Sequence, residues 1–128
     1  MEAARKRRVM IVDDEPGFTK VVKLTLEASK NYEVLELNNP STVVQNARKF
    51  SPDVILLDVV MPNMDGGDVF AQLQGDPMLR AIPVIFVTAT VRKGEVPEHG
   101  GKIGTSFFIA KPVSAQGLMR CIEEHVGV

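Results

Sequence analysis

This chain of 128 residues predicts an α/β fold built on a doubly wound parallel sheet. Three observations lead there. Short apolar, β-branched runs recur five times along the chain, and stretches of helical periodicity separate them. Four of the five runs are apolar at nearly every position, as strands covered on both faces must be. Strands alternating with helices imply βαβ units, right-handed crossovers and helices on both faces of the sheet. Ligands of such sheets bind beyond the carboxyl ends of the strands, where the strand order reverses.

The first run, Val9 to Val12, follows the basic stretch Arg5-Lys6-Arg7-Arg8. We read residues 1–7 as a solvated lead-in and residues 8–128 as one domain, since four charges without interleaved aromatics carry little specificity for nucleic acid. Phe18, Val21, Val22, Thr25 and Leu26 then give one face of a first helix. The second run, Tyr32 to Leu37, carries Glu33 and Glu36 and reads as an edge strand. Asn39-Pro40-Ser41 opens a second helix with Val43, Val44, Ala47 and Phe50 on its face. Val54 to Leu57 is the third run. Val69, Phe70 and Leu73 mark a third helix, stopped by Gly75-Asp76-Pro77. Val84 to Val87 and Phe107 to Ile109 are the fourth and fifth runs, and Leu118, Ile122 and Val126 mark the last helix behind the capping candidate Ser114.

Between Val91 and Gly104 the pattern fails. Gly94, Pro97, Gly100 and Gly101 each disfavour a helix interior, proline by about 3 kcal/mol and each glycine by about 1. A short helix starting near Pro97 or an irregular loop is expected there, with proline tolerated only in a first turn.

Composition narrows the function classes. An apolar fraction of 45% and a charged fraction of 24% are ordinary for a globular domain. The net charge of -1 gives no general pull toward nucleic acid or acidic lipid. One cysteine, Cys121, cannot form an internal disulfide and reads as a small buried residue. No apolar run approaches a membrane span, and no signal-peptide pattern follows Met1, so a cytoplasmic setting is expected.

The chemistry gathers at strand ends. Asp13, Asp14 and Glu15 end the first run, Asp58 the third, Thr88 the fourth and Lys111 the fifth. A parallel sheet brings all of these to one edge. Two unit charges at 4 Å repel by about 4 kcal/mol at an effective dielectric near 20, so clustered carboxylates need a proton or a cation. All-oxygen ligands with room for water and phosphate suit Mg²⁺ better than Ca²⁺. His99 and His125 read as surface residues rather than metal ligands.

Asp13-Asp14, Asp58 within Asp-Val-Val-Met-Pro-Asn-Met-Asp-Gly, Val87-Thr88-Ala89 and Lys111-Pro112 together resemble the receiver domain of two-component response regulators. The resemblance runs from about Arg8 to Val126. It implies a flavodoxin-like five-stranded sheet in the order 2-1-3-4-5. It implies that Asp58 accepts a phosphoryl group from a histidine kinase or phosphotransfer protein, and that the product switches binding of a downstream target or dimer partner. Asp14 and Asp58 then resemble the direct Mg²⁺ ligands, Asp13 acts through water, and the Val60 carbonyl completes the protein shell. Thr88 resembles the hydroxyl that meets a phosphoryl oxygen, Lys111 the pairing cation, and Phe108 the switch aromatic. A cis Lys111–Pro112 bond is also implied. No nucleic acid or membrane partner and no conventional turnover activity are expected.

Other classes fit less well. A phosphorylation-independent adaptor on the same fold would be favoured if Asp58, Asp14 or Lys111 were missing. An aspartyl-phosphate hydrolase of the haloacid-dehalogenase type needs an Asp two residues after its nucleophile, where Val60 stands. A flavin-binding flavodoxin needs a phosphate loop where Asp13 and Asp14 stand.

Overall fold

The computed structural model describes residues 5–62, 64–88, 101–103, 106–111 and 114–126. Its strands are β1 (Arg7–Val12), β2 (Tyr32–Leu37), β3 (Val54–Asp58), β4 (Val84–Thr88), β5 (Gly101–Ile103) and β6 (Ser106–Ala110). The helices are α1 (Pro16–Ala28), α2 (Val43–Phe50), α3 (Gly66–Gln74) and α4 (Ala115–Val126). The sheet order is β2-β1-β3-β4-β6-β5. Five of these strands pair in parallel, in the sequence-expected order 2-1-3-4-5 when counted among themselves.

A short sixth strand adds to the five expected parallel ones. β5 pairs antiparallel with β6, Gly101 facing Phe108 and Ile103 facing Ser106. An antiparallel neighbour needs only a short connection, so it joins the edge without disturbing the parallel order. Three residues are too few for a period-2 pattern to register, and two adjacent glycines conceal it further. The rest of the expected helix or loop, residues 91–100 and 104, lies outside the described residues, as do His99 and the Lys111–Pro112 bond.

Side-chain alternation explains the two cores. Val9, Ile11, Val54, Leu56, Ile85, Val87 and Ile109 point to one face, where Val22 and Leu26 of α1 and Leu118, Cys121 and Ile122 of α4 cover them. Met10, Val12, Ile55, Leu57 and Phe86 point to the other, against Val43 and Ala47 of α2 and Val69 and Leu73 of α3. Period 2 in the strands thus meets period 3.6 in the helices on both sides. β2 is the outer strand, and Glu33 faces solvent as expected.

Helix ends follow from local chemistry. Pro16 sits in the first turn of α1, where its missing N–H costs nothing. Asn39 accepts from the Ser41 N–H at 3.0 Å and starts the turn into α2, which closes at a left-handed Ser51 with φ 54°. Asp65 and Asp68 form a reciprocal capping box at α3. Ser114 Oγ accepts from the Gly117 N–H at 3.0 Å, so the expected cap of α4 is present.

Two side chains stand where the pattern did not put them. Val21 is 60% exposed, and Thr19 takes the buried place beside Val22 and Leu26. The buried face is centred on Thr19, Val22 and Leu26, and at roughly 100° per residue Val21 points more than a right angle away from that centre. His125 is half-buried rather than at the surface. Its ring meets Phe107 edge to face at 4.0 Å between centroids, and its Nδ1 donates to the Cys121 carbonyl at 2.6 Å. Cys121 is buried, as expected, and burial foremost pushes its thiol up to about 11.

The basic segment has structural partners. Arg5 pairs with Asp53 at 3.1 Å, and Arg8 within β1 donates to the Phe50 carbonyl at 2.8 Å. No helix among the described residues is long and apolar enough to cross a membrane.

Candidate functional site

β1 and β3 are neighbours at the point where the order reverses, because the chain leaves β1 for β2 on one side and returns to β3 on the other. Asp13 follows β1, and Asp58 ends β3. Their carboxylates and that of Asp14 each offer an oxygen within 4.8 Å of the others. Asp13 and Asp58 are buried and Asp14 half-buried. Three sequence-expected carboxylates are therefore in one group.

The β1–α1 turn is fastened around Asp13. The Glu15 N–H donates to Asp13 Oδ1 at 3.0 Å, and Asn38 Nδ2 donates to the Asp13 carbonyl at 2.8 Å and to Thr19 Oγ1 at 3.0 Å. Asn38, at the end of β2, was not singled out from the sequence, since a lone polar residue after a strand reads as a turn.

On the other side, Asp58 is held by backbone packing. The Gly66 N–H donates to the Val59 carbonyl at 2.8 Å. A Cβ at Gly66 would collide with the Asp58 carbonyl oxygen and stand 3.0 Å from Val59 Cα. Met61 is buried beneath this loop, whereas the Val60 side chain is 61% exposed.

Lys111 supplies the cation. Its backbone N–H donates to the Thr88 carbonyl at 2.9 Å, tying the turn after β6 to the end of β4. Its Nζ lies 2.7 Å from Asp13, 3.1 Å from Glu15 and 3.6 Å from Asp58. It also stands 4.5 Å from the centre of the Phe18 ring. Thr88 is buried at the end of β4, at the same edge. Phe108, on β6, is half-buried and stacks on Phe86 at 5.2 Å, and Phe86 meets Phe70 of α3 at 5.6 Å. Glu15 and Phe18 as partners of Lys111, and Phe86 beneath Phe108, were not legible beforehand. Apolar residues in a helix or strand read as core.

Burial dominates the electrostatics. It pushes Asp58 up to about 6, with the Asp13 charge adding to the effect and Lys111 opposing it. Burial also raises Asp13, against the hydrogen bond from Lys111. For Lys111, burial works downward, but the bonds to Asp13 and Glu15 outweigh it and the ammonium is held above its ordinary value. The edge thus carries more negative charge than one ammonium neutralises. That excess, displayed on oxygen donors alone, fits a small hard cation.

The sequence pattern of the response regulator receiver domain matches residues 9–123. The chain belongs to the response regulator receiver family. It is 36% identical to the polar-differentiation response regulator DivK of Brucella anthropi over 121 residues, 94% of this chain and 97% of that protein. It is 37% identical to protein PilH of Pseudomonas aeruginosa over 116 residues, 90% of this chain and 93% of that one. The crystal structure of chemotaxis protein CheY4 of Vibrio cholerae superposes with a TM-score of 0.80 at 22% identity, covering 94% of this chain and 99% of that chain. That likeness is one of fold. As a receiver, the chain is a two-component signalling domain, and the strand-end acidic group is the feature of it that could hold a metal.

Proposed function

We propose that this receiver is a phosphorylation-activated switch whose acceptor is Asp58. The observation that carries the reading is the meeting of Asp58 with Asp13, Asp14 and Lys111 at the reversal point of the sheet. An Asp58 carboxylate oxygen attacks the phosphorus of a phosphohistidine on a histidine kinase or phosphotransfer protein. The P–N bond breaks, its electron pair stays on the imidazole, and an acyl phosphate forms on Asp58. A carboxylate is a weak nucleophile, so alignment and charge neutralisation carry the step.

Asp14 and Asp58, with the Val60 carbonyl and Asp13 through water, would hold Mg²⁺, which supplies positive charge for the transferring oxygens. Lys111 pairs with the phosphoryl group from the opposite side, and the Thr88 hydroxyl takes a further oxygen. Phe108 then answers the movement of Thr88 and changes the surface offered to a downstream protein or a second copy. Water attacks the acyl phosphate in time, so the signal decays; the domain is a timed acceptor and not a turnover enzyme. We place it in the cytoplasm, the setting its single cysteine suits.

Incubation with a small acyl phosphate and Mg²⁺ is expected to add one phosphate by intact mass, removed by hydroxylamine. A chain that takes none under any donor is the phosphorylation-independent adaptor instead. Mg²⁺ at tenfold excess over its Kd is expected to add about 1.4 kcal/mol of stability by linkage. Asp14→Asn should weaken that effect more than Asp13→Asn, read by thermal melts against Mg²⁺ concentration. Equal losses would remove the distinction between direct and water-mediated ligands.

A further inference from the structure

The ammonium of Lys111 is not centred on Asp58. It lies within hydrogen-bond reach of Asp13 at 2.7 Å and Glu15 at 3.1 Å, and beyond it from Asp58 at 3.6 Å. The ammonium donates to Glu15 Oε1 and forms an ion pair with Asp13 Oδ2, so both of its near contacts belong to the β1–α1 turn. The same turn leads into Phe18, whose ring centre is 4.5 Å from Nζ, close enough for a cation–π contact. Glu15 and Phe18 are three positions apart on one short stretch that opens α1, so both reach the same lysine. The Lys111 side chain is only 16% exposed, which leaves it little room except between these partners.

We propose that Glu15 and Phe18 are positioning residues, a clamp that holds Lys111 on the Asp13 side of the site and restrains phosphoryl uptake at Asp58. This rests on the reading of Asp58 as the acceptor. A phosphoryl group arriving on Asp58 needs the ammonium as its own partner, so Lys111 must give up Glu15 to reach it. The Glu15 side chain is 67% exposed, and an exposed carboxylate grips weakly. The grip therefore yields to a phosphoryl group while still setting the resting position. The clamp also accounts for a carboxylate at 15 that adds negative charge where an anionic donor must approach.

Beryllofluoride, which binds an aspartate oxygen through beryllium and stands in for the phosphoryl group, separates the alternatives. Its affinity is measured by ¹⁹F NMR at saturating Mg²⁺, so that any loss of metal affinity does not count. Glu15→Gln, which keeps shape and removes charge, is expected to tighten binding about two- to fivefold. Phe18→Leu, which keeps bulk and charge but removes the ring, should tighten it about twofold. In the metal-free protein, the ¹H–¹⁵N signal of Lys111 Nζ should shift in both variants while backbone amides of the sheet stay in place. Unchanged or weaker binding in Glu15→Gln, or an Nζ signal that does not move, overturns the clamp. Wild-type protein that takes no beryllofluoride overturns the acceptor reading, and the clamp with it. Uptake that the two variants leave unaltered overturns the clamp alone.

Discussion

Asp58→Asn is expected to stabilise the metal-free protein by about 1–3 kcal/mol at neutral pH. The Asp58 carboxyl is 8% exposed, and burial together with the Asp13 charge pushes it up to about 6 from an ordinary 3.8. The folded state therefore holds this proton more tightly than the unfolded chain does. The ionised group opposes folding fully above pH 6, and the opposition fades as pH falls through 6 toward 4. Asn removes the charge and keeps the shape. It also forfeits the attraction to Lys111 at 3.6 Å, which offsets part of the gain. Urea unfolding in a chelator from pH 4 to 8 should show a variant advantage that is largest above pH 6 and gone near 4. An advantage that is absent, or constant with pH, would contradict the burial account of Asp58.

Gly66→Ala is expected to cost about 1–3 kcal/mol, the usual penalty for overpacking, and to lower phosphoryl uptake at the same time. The new methyl would meet the Asp58 carbonyl oxygen and the Val59 backbone, neither of which can rotate away. Relief requires α3 or the end of β3 to move, and movement of β3 displaces the acceptor itself. Gly67 provides the comparison. A Cβ there stands 3.2 Å from Asp65 Oδ1, the side-chain oxygen that caps α3, and meets no backbone of the acceptor strand. Gly67→Ala should thus leave uptake nearly unchanged, with its helix-propensity gain of about 1 kcal/mol set against some loosening of the Asp65 cap. Equal behaviour of the two variants in denaturant melts would show that contact with Asp58 is not what Gly66 provides.

The parallel sheet was legible because Val54 to Leu57 and Val9 to Val12 are apolar on both faces, and only a sandwiched strand requires that. The site was legible for a related reason. Parallel strands share one direction, so polar residues ending separate apolar runs arrive at one edge whatever the connections between them. β5 escaped because Gly101–Ile103 is short and draws its pairing from Ser106–Ala110 rather than from a pattern of its own. Val21 was misplaced because an apolar residue beside Val22 looks like core until the helix face is fixed by its neighbours. Glu15 was visible as a strand-end acid, but its contact with Lys111 depends on two turns 96 positions apart, and no local pattern carries that. Phe18 and Phe86 were hidden by being apolar among apolar residues.

The acceptor assignment is tested most directly by trapping the acyl phosphate. Borohydride reduces an aspartyl phosphate to homoserine, so peptide mass spectrometry after brief treatment with phosphodonor, Mg²⁺ and borohydride reads the modified position itself. Homoserine at 58 alone, absent when the donor is omitted, is the expected result. Homoserine at 13 or 14, or none anywhere while intact mass shows a phosphate, would contradict the account.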